Sequence, residues 1–445
     1  MEVLQQPDNA AVGNEQRKGK GNIYLIYMAS FILTVNSATQ GYDSSMMNGL
    51  QILPSYVDYF QLTTSTSALN VAIVFVGSIV AMPFAGPLSD KWGRKWGIAI
   101  ASIIAIVGAV IQSAAVHVAM FCIGRMIIGF FSHRWLCCCP DLHFRGRAPP
   151  APCYDDWAFG TSWYVGSLVA AGVTYGSQYI ESTWSWRLPS LLQLLHSVLC
   201  LAPLPFIPES PRWLIYKNRQ IAIEYQEICQ TLEHEKSVQK TSFKTLFSTR
   251  PNLFSQVSGN NITTYYLGDV LTSAGITEVQ TQLGINLGLS GFNLVCATAG
   301  SWLTERIGRR PGFLCSTGIM SVVLIIVSVL TKLYGDSPDT AVSAAQVTLI
   351  FIFYGSYSFV WTPLTIIYTA EVLSYSMRAN GLAFYNGLCY GTGAFNTYTI
   401  PYAMQWSSWG FYMITALWCF FVELPIIHTY FPATERKSLE EIDVV

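Results

Sequence analysis

GPLSDKWGRK, residues 86–95, joins two long apolar runs at 68–85 and 96–116. It is too short to be a domain and too polar for a bilayer interior. A related string, TERIGRRPG at 304–312, lies a little over two hundred residues later between two more apolar runs. Both read acid, base, any residue, Gly, Arg, base: Asp90-Lys91-Trp92-Gly93-Arg94-Lys95 and Glu305-Arg306-Ile307-Gly308-Arg309-Arg310. A hinge used twice at corresponding places marks an internal repeat in a membrane chain. The motif puts an acid beside the end of one helix and guanidinium groups near the end of another. There the charges answer the helix dipoles and can bridge between helices. A bridge that forms in one conformation and breaks in another is a gate, so Gly86, Asp90, Arg94, Glu305 and Arg309 are candidate gating residues. A plain positive loop is the bland alternative for one copy, and it weakens with two copies in register.

Composition agrees with a membrane protein. Of 445 residues 51% are hydrophobic and 11% charged, against about 25% charged in soluble chains. The formal net charge of −1 gives no electrostatic support for nucleic-acid binding. Residues 1–22 are polar, include Arg17, Lys18 and Lys20, and show no cleavage pattern of a secretory signal. Most of the eleven cysteines are single residues in apolar runs, where a small packing role suffices. The group His133, Cys137, Cys138, Cys139, His143 and Cys153 matches no zinc spacing. No metal or cofactor is expected.

A span needs roughly 20 mainly apolar residues. Twelve segments qualify: about 22–42, 66–85, 96–116, 119–136, 158–179, 189–207, 252–271, 282–303, 311–332, 345–370, 380–403 and 409–431. They divide into six and six around a polar stretch at 208–250. The expected domains are a cytosolic tail (1–21), a six-helix half (22–207), a linker with short helices (208–250), a second six-helix half (251–431) and a cytosolic tail (432–445). With both termini inside, nearly all Lys and Arg fall on one side, as the positive-inside rule requires. Arg187 and Lys332 outside and Arg125 within a span are the exceptions.

Two spans are defective. The fourth begins with GRMIIGFF at 124–131, then meets SHRWLCCCPDLHFRGRAPPAPCYDD at 132–156, whose charges and prolines do not suit hydrocarbon. The abrupt change and return of composition also read as an out-of-frame stretch or a misplaced splice boundary. The seventh has little apolar sequence ahead of Gln256 and is rich in Asn, Thr and Ser.

Further strings carry a family resemblance. They are Pro208-Glu209-Ser210-Pro211-Arg212-Trp213 after the sixth span, and Gln256-x-Ser-Gly-x-Asn261-x-x-x-Tyr265-Tyr266 in the seventh. Asn293 stands twelve residues before Glu305, and Glu371 precedes Arg378-Ala379-Asn380-Gly381. Phe431-Pro432-Ala433-Thr434 leads to Leu439-Glu440-Glu441, with Ala433 where the pattern has Glu. With the paired hinges, these strings resemble the sugar porters of the major facilitator superfamily over about 22–442, except 132–156 and the start of helix seven; GYDSSMMNG at 41–49 and SWYVGS at 162–167 are nearest the fungal lactose- and hexose-type permeases. The resemblance implies an all-α polytopic membrane protein of twelve helices in two pseudo-symmetric six-helix halves, with helices four and seven incomplete. It also implies gating by Glu209, Arg212, Glu371 and Arg378 beside the hinges.

Recognition of a neutral polyol needs directional amide and hydroxyl groups and an aromatic face. Gln256, Asn260, Asn261, Tyr265, Asn293 and Asn396 offer these. Residues 256, 260 and 264 share one helix face, with 261 and 265 beside it. Alone, such amides could equally bond helix to helix. Asp43 and Arg125 are the intramembrane charges. An ion pair between helices one and four would couple proton binding to conformation, and proton-coupled sugar porters resemble this arrangement. Otherwise Asp43 would cap its helix at the interface and Arg125 would snorkel.

The expectation is therefore transport of a hexose or a disaccharide such as lactose by alternating access, with proton symport. Energy would come from the proton gradient, since no P-loop is present, and the protein would be no enzyme, since His117, His196, His234 and His428 are scattered and no paired catalytic carboxylates converge. The partners would be a sugar, protons and the lipid bilayer, with no nucleic acid. The protein would be a multi-pass monomer in the plasma membrane. The alternatives are a non-transporting sugar sensor, against which the short C-terminal tail argues, and a defective paralogue.

Overall fold

The structure is a computed structural model that describes residues 9–92, 94–138, 154–206, 258–334, 340–372 and 378–430. Among the described residues every element is helical. The first half contains α1 (Asn9–Ile52), the short α2 (Pro54–Phe60), α3 (Thr64–Trp92), α4 (Arg94–Ser113), α5 (Val118–Cys138), α6 (Tyr154–Ser177) and α7 (Trp184–Leu201). The second contains α8 (Asn260–Ser273), α9 (Val279–Ile307), α10 (Arg309–Tyr334), α11 (Thr340–Val372), α12 (Arg378–Trp418) and α13 (Leu424–Tyr430). A π turn, Cys419–Glu423, joins α12 to α13. Helix α12 breaks at Ser407, whose backbone is extended (φ −167°, ψ 101°), so it supplies two spans.

The packing repeats between halves. Helix α5 packs on α3 and α4, as α11 packs on α9 and α10; α1 packs on α6, as α8 packs on α12. Across the halves α3 meets α12, α6 meets α9, and α1 meets α8. The first two of these contacts are counterparts under the same two-fold relation.

Seven of the described helical stretches are long and apolar enough to cross a membrane. Helices α1, α6 and α8 are not among them, and α5 qualifies only as a shorter apolar stretch, Val118–Phe130. Helix α1 carries Asn36, Asp43 and Asn48 on buried positions, and α8 carries Asn260, Asn261 and Thr263. Polar groups at membrane depth are tolerated where they face the bundle interior. The outer surface shows the converse. Ile103, Val107 and Val110 of α4 and Ile319, Val322, Ile326 and Val329 of α10 are exposed at helical spacing, a lipid-facing stripe. On the other side of α10, Ser321 and Ser328 donate to the carbonyls of Ala416 and Trp409 of α12.

Close approach between α1 and α6 rests on two glycines. A Cβ on Gly166 would lie 1.8 Å from the Ala38 carbonyl oxygen, and one on Gly41 would lie 1.8 Å from that of Trp163. Small residues let membrane helices touch backbone to backbone.

Several expectations need correction. Helix α3 runs through Gly86 and Asp90 to Trp92, and α4 starts at Arg94, so most of the stretch read as a hinge is helix. At 1.5 Å per residue the 29 residues of α3 span about 43 Å, enough to carry its polar end through the headgroup region. The second joint is short: α9 ends at Ile307, α10 starts at Arg309, and Gly308 between them has φ +93°. A side chain would strain that conformation. Helix α1 does not end at Asp43 but continues to Ile52, so Asp43 is no interfacial cap; its polar neighbours face the bundle interior. Helix α7 begins at Trp184, which places Arg187 in its first turn rather than in a loop. Arg187 there donates to the Tyr59 hydroxyl and the Ala115 carbonyl, both at 3.3 Å. Helix α8, with fourteen residues, is short for a span, and Gly259 before it has φ +88°.

Candidate functional site

The described site begins with a buried ion pair. Arg125 of α5 is fully buried, and Asp43 of α1 is 8% exposed. The Arg125 Nη1 and Nη2 groups donate to the Asp43 Oδ1 and Oδ2 atoms, each at 3.1 Å. Arg125 Nε donates to the Asn70 carbonyl of α3 at 2.7 Å. The fork geometry matches a carboxylate bidentately. Gln193 of α7 donates from Nε2 to Asp43 Oδ1 at 2.9 Å. Four helices thus converge on one carboxylate–guanidinium pair. Arg125 does not snorkel: its donors are spent within the bundle. Tyr56, Phe121 and Trp186, all fully buried and in mutual ring contact, pack beside it. The Tyr56 hydroxyl accepts from Asn70 Nδ2 at 3.1 Å.

A polar seam between the halves adjoins the pair. Ser44, next to Asp43, bonds the Tyr265 hydroxyl of α8 at 3.0 Å. Asn48, one turn on, donates to Asn286 Oδ1 of α9 and accepts from the Leu267 backbone N–H of α8, both at 3.1 Å. Ser167 of α6 bonds Ser290 of α9 at 3.1 Å. The Tyr164 hydroxyl of α6 bonds Ser358 and Thr362 of α11 at 2.6 and 3.0 Å. Within the second half, Thr264 of α8 bonds the Tyr354 hydroxyl of α11 at 2.6 Å.

Asn293 lies on the same stripe of α9 as Asn286 and Ser290, which face the first half. It is 1% exposed, and neither Oδ1 nor Nδ2 has a protein partner. Asn260 Oδ1 and Asn286 Nδ2 are likewise buried without one. Buried amide groups are normally satisfied, so unspent donors and acceptors on an inter-half seam are suited to a polar ligand. Asn261 is buried, and Asn396 of α12 is half-buried. Tyr265 lies edge-on to Phe75 with ring centroids 6.0 Å apart.

The structure does not bring every expected residue to this seam. Gln256, Glu209 and Arg212 lie outside the described residues. Gly86, Asp90 and Arg94 lie at the α3–α4 joint, Glu305 near the end of α9, Arg309 at the start of α10, Glu371 at the end of α11 and Arg378 at the start of α12. Except for Arg309, the surroundings of these residues fall outside what is described. Gln193 was missed by sequence reasoning, as was a run of aromatics on α11. There Tyr354 and Tyr357 stack at 6.2 Å and Tyr357 and Trp361 at 6.3 Å, nearly parallel. Their spacing of three and four residues is the signal that could have found them.

At the end of the bundle away from the glycine joints, a cavity of about 600 Å³ opens where α2, the α6–α7 turn and the start of α9 converge. Ser55, Gln178, Glu181, Glu278 and Gln280 line it. A mouth between the halves, a polar seam below it and a charge pair beside the seam define a multi-pass membrane protein of the major facilitator class. The profile of the family described as "Sugar (and other) transporter" matches residues 29–445, and the chain belongs to that family. The high-affinity glucose transporter of Kluyveromyces lactis is 26% identical over 485 residues, covering 95% of this chain and 85% of its own. The MFS-type transporter criB of Aspergillus cristatus is 26% identical over 459 residues, covering 95% and 93%. The proton:xylose symporter XylE, solved with 6-bromo-6-deoxy-D-glucose, superposes with a TM-score of 0.76 at 20% identity over 95% of this chain and 99% of its own.

Proposed function

We propose that the protein carries a hexose or a small disaccharide across the plasma membrane by alternating access, as a proton symporter with both termini in the cytosol. The observation that carries this is the unspent side-chain amide of Asn293, whose Oδ1 and Nδ2 both lack a protein partner, fully buried on the α9 stripe that bonds the other half. A neutral polyol offers hydroxyls that both donate and accept, which is what a side-chain amide matches. Gln256, Asn260, Asn261, Tyr265 and Asn396 would complete the contacts. The halves would separate along the seam of Ser44, Asn48, Ser167 and Tyr164 to admit the sugar. Glu209, Arg212, Glu371 and Arg378, with Gly86, Asp90, Arg94, Glu305 and Arg309, would gate the opposite end.

Proton coupling rests on the Asp43–Arg125 pair. Protonation of Asp43 would discharge the carboxylate and release the guanidinium, letting α1 and α5 part. No nucleotide motif supplies another source of energy, and the membrane proton gradient fills that place.

The test is uptake of labelled mono- and disaccharides in transport-null cells, with and without a protonophore. Uptake of at least one sugar that falls with protonophore is the expected result. Surface-expressed protein that moves none of them would refute transport, whereas uptake indifferent to the protonophore would refute symport alone. Asn293→Leu is expected to raise KM about fivefold at similar surface expression, since one hydrogen bond to a neutral ligand is worth roughly 1 kcal/mol. An unchanged KM for every transported sugar would remove Asn293 from the binding site.

A further inference from the structure

Glu423 stands apart from the site above. It ends the π turn Cys419–Glu423 and is fully buried. Its Oε1 accepts from the Trp418 indole N–H at 3.2 Å, and its Oε2 has no partner. Among the described residues no lysine, arginine or histidine forms an ion pair with it. Asp43, the other buried acid of the described spans, has a guanidinium and an amide; Glu423 has only the Trp418 indole and the Cys419 thiol.

Among the described residues, the titratable groups that interact with it are a thiol and a phenol. Cys419, on the same turn, interacts with it and points its thiol at the Ser258 carbonyl ahead of α8, 3.6 Å away. Tyr357 of α11 is within electrostatic reach of it. Helix α10 also packs on the turn, but its cations sit at its ends: Arg309 and Arg310 at one, Lys332 at the other. Arg310 donates to the His428 carbonyl, five residues past Glu423, about 7 Å further along the axis. An isolated carboxylate in an apolar site is neutralised rather than left charged. An ionisable group within a membrane bundle, on a π turn, is a frequent mark of function.

We propose that Glu423 is a second proton-binding site, distinct from Asp43. It holds a proton on Oε2 while the π turn is closed against α10, and releases it to water when the glycine-joint end of the bundle opens. The step is one O–H bond formed on uptake and broken on release, with water as the only other participant. The site lies about two turns from that end; it touches the approach to α8 and acts electrostatically on Tyr357 in the aromatic run of α11, elements that line the seam. A proton there senses whether that end is closed. The proposal rests on the symport reading.

Full-length protein reconstituted in liposomes tests it by infrared titration and by the ratio of protons to sugar moved. The carbonyl-stretch band of a protonated carboxyl is expected in the wild type, retained in Asp43→Asn and diminished in Glu423→Gln. The Glu423→Gln protein is expected to keep sugar counterflow with fewer protons per sugar, and Glu423→Asp to restore the wild-type ratio. A Glu423→Gln protein with the wild-type band and ratio would overturn the proposal. If that variant does not reach the membrane, the band of Glu423→Asp is compared with wild type, and an unshifted band overturns it. A wild type that moves sugar without protons refutes symport, and the band then decides whether Glu423 binds a proton at all.

Discussion

Asp43→Asn is expected to abolish concentrative sugar uptake and to lower the Tm of the purified protein. The two effects have different origins. The variant leaves Arg125, fully buried, without its counter-ion. Breaking a buried pair by removing one partner costs on the order of 3–5 kcal/mol. The Asn70 carbonyl and one amide cannot replace a bidentate carboxylate. The coupling effect is separate, because an amide cannot take up and release a proton. Asp43→Asn combined with Arg125→Gln removes the orphan charge, so Tm should recover while accumulation does not. Recovery of both would show that the pair is structural and that protons bind elsewhere. Accumulation by the single variant at wild-type level would exclude Asp43 from coupling.

Gly166→Val is expected to eliminate folded protein from the membrane. The obstacle is backbone rather than a flexible side chain. A Cβ at 166 would sit 1.8 Å from the Ala38 carbonyl oxygen, and Gly41 meets Trp163 in the same way from the other helix. Ordinary overpacking costs about 1–3 kcal/mol, because side chains can give. Here α1 and α6 would have to separate along their length, and Asp43 lies two residues beyond Gly41. Gly166→Ala should therefore fold poorly and transport weakly. Gly176, ten residues along the same helix with nothing within 4 Å of a Cβ, is the control, and Gly176→Ala should behave as wild type. Surface expression by fluorescence-detected size exclusion reads all three. A well-folded Gly166→Val would mean that the helices do not approach as the structure shows.

The architecture was readable because the two hinge strings recur and because apolar runs have the length of a bilayer. The charge pair was readable because a carboxylate and a guanidinium stand out in apolar sequence. What failed was the treatment of polar residues as boundaries. Asp43 and the residues up to Ile52 looked like the end of a span. In fact they continue the helix, with their polar groups spent on Arg125, Gln193, Tyr265 and Asn286. The same error made most of the 86–95 stretch a hinge rather than helix. Hydropathy averages over a helix and does not tell a polar face turned toward the bundle from a segment that leaves the membrane. Gln193 escaped because a lone glutamine has no spacing partner, and its role appears only when α7 is laid on α1. Glu423 could have been noticed as the one carboxylate in the apolar run 409–431.

The Gly308 joint has a kinematic consequence. One residue contributes two rotatable backbone bonds, so α9 and α10 cannot slide past each other or drift apart. They can only swing, like two arms on a single pin. Because α9 carries the seam and α10 faces lipid, any motion of the seam must be transmitted outward as a rotation of the lipid-facing arm. Inserting two or three flexible residues after Gly308 would leave each arm intact and disconnect the linkage.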